Sequence, residues 1–133
     1  MNPQENIQPI KNSSDWFLSK LYLSNKPDHE VIRILQTLNR YIKITYKRDI
    51  FYTIEIINED VIRFKPLNDL ADDCLITTSL FIRHIKYLYK YHAAPHPNWY
   101  IKTGRYSFEK LGHYDIAKHY EFWMDFLREH IFS

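Results

Sequence analysis

The stretch "IKITYKRDIFYTIEIINEDVIRFKP", residues 42–66, decides how this chain is read. Ile42, Ile44 and Tyr46 alternate with Lys43, Thr45 and Lys47. A two-residue period puts the apolar side chains on one face of a strand, and β-branched and aromatic residues suit that face. Residues 48–49, "RD", supply a turn. Residues 51–57 alternate again, with Tyr52, Ile54 and Ile56 on one side. Residues 58–60, "NED", turn the chain once more. Val61, Arg63 and Lys65 then oppose Ile62 and Phe64, and Pro66 suits a strand end. The pattern predicts a three-stranded antiparallel meander.

The flanks read as helices. Residues 1–12 are polar and read as a flexible arm. Ser13 or Ser14 can cap a first helix through about Leu23, turning Trp16, Phe17, Leu21 and Leu23 inward. "SNKPD" interrupts it. A second helix starts near Pro27 or Asp28, with Val31, Ile34, Leu35, Leu38 and Tyr41 at steps of three and four. Beyond the meander, "LNDLADDC" reads as an acidic linker or short helix. Thr77, Thr78 or Ser79 begins a long helix through about Tyr91, with Phe81, Ile85, Leu88 and His92 inward. Arg83, Lys86, Tyr87 and Lys90 fall away from that stripe. Pro95 and Pro97 end it, and a loop runs to about Ser107. A last helix from about Tyr114 to Ile131 buries Ile116, Tyr120, Trp123, Leu127 and Ile131, with Phe122 and Phe126 beside the stripe. The expected order is ααβββαα. It makes a single α+β domain over residues 13–133, with helices covering the sheet.

Composition narrows the function classes. Cys74 is the only cysteine, so no intramolecular disulfide and no CxxC site can form. Two glycines, Gly104 and Gly112, cannot build a dinucleotide-binding fingerprint or a Walker loop. Eight asparagines can serve turns in their place. The polar N-terminus does not resemble a signal peptide, and no apolar run reaches the roughly 18 residues of a membrane helix. The expectation is a soluble, cytoplasmic protein with no membrane contact.

Charge is distributed unevenly. From Cys74 to Phe108 there is no Asp or Glu, and the window holds Arg83, Lys86, Lys90, Lys102 and Arg105. The whole chain sums to +2, so the remainder sums to −3. Trp99, Tyr100 and Tyr106 lie in the same window. Cations neutralise phosphates and aromatic faces stack on bases. Trp, Tyr and Arg also dominate protein-binding hot spots.

Catalytic and metal-binding patterns are weak. His92 and His96 have helical metal-pair spacing, but Pro95 lies between them. His113 and His119 point about 120° apart on a helix. Asp115 and His119 share a face, yet two ligands are too few for a closed zinc site. The gaps from Arg83 to His92 and from Arg105 to His113 are too wide for the short Arg-to-His motif of HEPN ribonucleases. Nothing resembles a nucleophile elbow. Cys74 follows Asp72 and Asp73, a setting that raises a thiol pKa.

The reading is therefore a small, non-catalytic intracellular binding protein that occupies a macromolecular partner. Inhibitors, immunity proteins and antitoxins act in this way, among them phage-encoded inhibitors of bacterial nucleases. The expected partner is a protein such as a nuclease, or its nucleic-acid complex. The expected surface is Arg83, Lys86, Lys90, Trp99, Tyr100, Lys102, Arg105 and Tyr106. No cofactor, metal or catalytic residue is expected, and a dimer is compatible with the sequence. The alternatives are direct DNA or RNA binding and a small metal- or histidine-dependent hydrolase.

Overall fold

The computed structural model describes residues 13–44, 51–53, 57 and 65–131. The chain divides into two compact units, Met1–Thr45 and Tyr46–Ser133.

In the first unit, α1 (Ser13–Leu21) runs into a 3₁₀ turn (Tyr22–Ser24), and α2 spans Asp28–Ile44. Asn25 closes the turn in the left-handed region at φ 59°, a conformation that Asn tolerates. Asp28 and Glu30 occupy the first turn of α2, where the helix dipole favours negative charge. Val31, Ile34 and Leu38 are fully buried at steps of three and four. Leu35 and Tyr41 are half-buried. Of the residues expected inward on α1, Leu21 is fully buried and Phe17 half-buried, while Trp16 and Leu23 are exposed. Asn39 Nδ2 donates to Ser14 Oγ at 3.3 Å, tying α2 to α1.

The expected α+β meander is not found among the described residues. Ile42, Lys43 and Ile44 are the last residues of α2. Residues 51–53 have no regular structure, Ile57 is helical, and residues 65–66 lead into the next helix. Among the described residues there is no strand, and the fold is α-helical. The physical reason lies in the length of the signal. Over 42–44 the alternation is only three residues long, too short to set a strand period against the helix already running from Asp28, and α2 carries on to Ile44. The remaining parts of the expected strands, residues 45–50, 54–56 and 58–64, lie outside the described residues, as does the arm at 1–12.

The second unit is organised around α3 (Leu67–Ser79). Every residue of α3 from Leu70 to Ser79 is buried. A helix buried on all sides is a central helix, so of the two readings of this stretch the helix holds and the acidic linker suggested by Asp69, Asp72 and Asp73 does not. Pro66 precedes it in extended geometry and the Leu70 N–H donates to the Pro66 carbonyl. Thr78 and Ser79 do not start a helix. They close α3, with their hydroxyls donating back to the carbonyls of Cys74 at 2.8 Å and Leu75 at 2.6 Å. After Leu80 and Phe81 the chain re-enters helix as α4 (Ile82–Lys90).

The expected loop at 93–107 is also helix: α5 spans Pro97–Lys110. Pro95 and Pro97 do follow the end of α4, but Pro97 begins α5 at its first turn, where a missing N–H costs nothing. His96 caps α5, its Nδ1 accepting from the Asn98 N–H at 3.0 Å. α6 (Tyr114–Lys118) and α7 (Tyr120–His130) complete the unit, broken at His119. The apolar stripe read from the sequence is intact across this break. Ile116, Tyr120, Trp123, Leu127 and Ile131 are all buried. Phe126 joins the core as well, whereas Phe122 is partly exposed and stacks on Phe126 at 5.7 Å.

α3 and α5 pack closely at Gly104. A Cβ placed there would lie 2.9 Å from Cys74 Cβ and closer still to the Tyr120 hydroxyl. Two Schellman caps end the neighbouring helices. After α5, Gly112 at φ 86° donates to the Glu109 carbonyl and His113 to the Phe108 carbonyl. After α4, His92 at φ 59° donates to the Tyr89 carbonyl and Ala93 to the Leu88 carbonyl.

Candidate binding surface

Chemistry-bearing groups fall into two sets, one buried and one exposed. The buried set surrounds α3. The Tyr52 hydroxyl donates to the Asp73 carboxylate, and Lys65 Nζ lies 3.8 Å from the same carboxylate and 4.9 Å from the Tyr52 ring. The Tyr100 hydroxyl donates to the Tyr52 carbonyl at 2.9 Å and accepts from the Tyr52 N–H at 3.2 Å. These bonds fasten residue 52 to α3 and α5. They satisfy a buried acid that could not stand alone in an apolar interior. Cys74 is fully buried, and burial, with the Asp73 charge second, pushes its thiol well above the usual value. Burial raises the Tyr120 hydroxyl in the same way. The thiolate that a nucleophile needs is thus disfavoured, and its sulfur is closed off from solvent.

The expected surface residues separate between two helices. Arg83, Lys86 and Lys90 sit on α4 and are exposed. Trp99, Tyr100, Lys102, Arg105 and Tyr106 sit on α5. Tyr100 is fully buried as a core residue. Trp99 is half-buried, edge-on to Tyr100 at 5.1 Å and to Tyr52 at 6.0 Å. Lys102 and Tyr106 are exposed. Arg105 is held by its own unit: Nε donates to the Ala117 carbonyl at 3.2 Å and Nη2 lies 3.5 Å from Glu121. Its local positive charge is thereby offset by an acid sixteen residues away in sequence.

Around α5 the surface carries both signs. Two shallow depressions of about 300 Å³ each share Glu109 and Tyr114. One is completed by Arg105, Ala117 and Lys118, the other by Tyr106 and Lys110.

α4 differs. Arg83, Lys86, Tyr87, Lys90 and Tyr91 stand at i, i+3, i+4, i+7 and i+8, within an arc of about 140°. All five are exposed, Tyr87 at 58% and Tyr91 at 61%. Their rings pack on each other at 4.8 Å, and Lys90 Nζ lies 5.9 Å from the Tyr91 centroid. The opposite side holds Ile85, which is fully buried, and Leu88, which is half-buried. Arg83, Lys86 and Lys90 form no ion pair with a described residue. Arg83 also stands in the first turn of α4, which has no acidic residue, where the helix dipole disfavours a cation. No local interaction rewards that placement. Tyr87 and Tyr91 were not singled out as site residues from the sequence. Their signal was present, since they complete the one-face spacing set by the three cations.

No protein-family model, curated protein or solved structure matches this chain. No helix among the described residues is long and apolar enough to cross a membrane.

Proposed function

We propose that this chain is a non-catalytic binding protein that acts by occupying an anionic macromolecular partner through the exposed face of α4. The observation that carries this reading is the face itself: three exposed cations that form no ion pair with a described residue, and two exposed tyrosines, on one side of a helix that contains no acid. Tyr gives large contact area at low conformational-entropy cost, Arg shares its enrichment at hot spots, and the cations steer encounter with an acidic surface. The partner class that fits is a nuclease, or a nuclease with its nucleic acid bound. The buried, high-pKa Cys74 and the fully engaged Asp73 supply no nucleophile or base to the surface.

Affinity capture with the immobilised chain from its own cell's extract tests the reading. Wild-type protein should recover a partner complex in stoichiometric amount, and the Lys86→Glu/Lys90→Glu double variant should lose it while keeping the wild-type melting temperature. Stoichiometric capture by the folded double variant would place the working surface elsewhere. Direct recognition of naked nucleic acid, the second reading, rests on the same cations. It predicts retention on heparin and binding of naked nucleic acid that weakens as salt rises.

A further inference from the structure

We infer that the group engaged by α4 within its partner complex is single-stranded nucleic acid, an inference that rests on the reading of α4 as the working face. Three features of the helix point to this chemistry. First, the cations are spaced along one line. Arg83, Lys86 and Lys90 are separated by rises of about 4.5 and 6 Å along the axis, a step comparable to that between neighbouring phosphates of an extended strand. Second, the rings are interleaved with the cations. Tyr87 follows Lys86, and Tyr91 follows Lys90, all on the same arc. A single strand presents phosphate and unstacked base in alternation, and an exposed aromatic ring stacks on such a base whatever its identity. A duplex hides its base faces in its own stack, so the two tyrosine rings would find only groove edges and backbone. Third, neither α4 nor the sequence flanking it contributes a carboxylate that would repel the strand, since the chain has no Asp or Glu from Cys74 to Phe108.

An acidic protein surface would satisfy the three cations equally well. It does not by itself present the alternation of charge and flat apolar face that Lys86–Tyr87 and Lys90–Tyr91 would match, with both rings more than half exposed. With three cations the footprint is about three phosphates, and the logarithm of affinity should fall against the logarithm of salt with a slope of about −2.

The experiment is fluorescence anisotropy with labelled oligo-dT, the oligo-dT·oligo-dA duplex and poly-glutamate as competitor, beside the capture assay above. Oligo-dT should bind more tightly than the duplex, with the shallow slope given. Tyr87→Leu and Tyr91→Leu should each weaken it by about fivefold or more, and Tyr87→Phe and Tyr91→Phe should keep wild-type affinity, because the ring and not the hydroxyl stacks. The inference is overturned if the duplex or poly-glutamate binds as tightly as oligo-dT, or if the Leu variants bind like wild type. It also falls, alone, if oligo-dT does not bind while Lys86→Glu/Lys90→Glu still abolishes capture; α4 then serves an acidic protein. If oligo-dT binds and the double reversal does not weaken it, the reading of α4 itself falls.

Discussion

Helices α4 and α5 arise from the same aromatic stretch, acid-free as far as Phe108, and end in the same cap, yet one lies on the surface and the other enters the core. α4 buries one residue, Ile85, and leaves Tyr87, Tyr89 and Tyr91 exposed. α5 buries Tyr100, Gly104, Ser107 and Phe108 against α3 and α7. The difference is set by what lies four residues apart. On α5, Tyr100, Gly104 and Phe108 fall on one line, so a glycine gap between two rings lets α3 approach. On α4, the same spacing lines up Arg83, Tyr87 and Tyr91, and beside them Lys86 and Lys90, which stay in water because a buried lone cation is costly. Aromatic content alone therefore says nothing about exposure; the residues that share its helical face decide it.

The comparison breaks most visibly at Gly104. Gly104→Ala should gain about 1 kcal/mol in helix propensity, but the new methyl meets the Tyr120 ring and the Cys74 side chain, neither of which is at the end of a flexible chain. Contacts this close put the overpacking cost at the upper end of its usual range, about 3 kcal/mol, so a net loss of about 2 kcal/mol is expected in a denaturant titration. An unchanged midpoint would mean that α3 and α5 are not packed this closely.

Tyr100→Phe should cost about 1–3 kcal/mol, because the Tyr52 N–H and carbonyl both lose their partner in a buried setting. Tyr89→Phe on α4, whose ring is exposed and rests edge-on to His96, should change stability by less than about 0.5 kcal/mol. Equal effects of the two substitutions would erase the distinction between the helices.

The caps give a smaller contrast of opposite sign. Gly112→Ala should cost about 1 kcal/mol, since an L side chain strains the left-handed position after α5. His92→Gly should gain about 0.5 kcal/mol by relieving that strain after α4. A loss on His92→Gly would show that the imidazole makes a contact worth more than the strain.

The same contrast explains how far the sequence could be read. The stripe Ile116, Tyr120, Trp123, Leu127, Ile131 holds over five helical positions and survives even the break at His119. Over that span the helical period is unambiguous. At 42–44 the alternation was too short to separate strand from helix, and the backbone of α2 continued through it. At 67–79 the obstacle was non-local: Asp73 looks like a linker residue until Tyr52 and Lys65 are brought to it. At 97–107 the prolines were read as a helix end with a loop behind it. Pro97 serves as the first residue of α5 and Gly104 as its point of closest packing, two roles those residues fill only when tertiary structure supplies the neighbours. Of the expected surface, Arg83, Lys86 and Lys90 share the α4 face, while Tyr100 is core and Arg105 is held by Ala117 and Glu121.

One measurement tests directly whether the α4 face is where this protein works: the affinity of the captured partner complex for Lys86→Glu/Lys90→Glu on α4 and for Lys102→Glu/Lys110→Glu on α5, each with its thermal unfolding curve. All four lysines are exposed, so both variants should stay within about 0.5 kcal/mol of wild-type stability. The α4 reversal should weaken binding by at least about tenfold, through lost attraction and new like-charge repulsion, and the α5 reversal should leave it within about twofold. Wild-type affinity in the folded α4 variant, or equal losses in the two, would contradict the account.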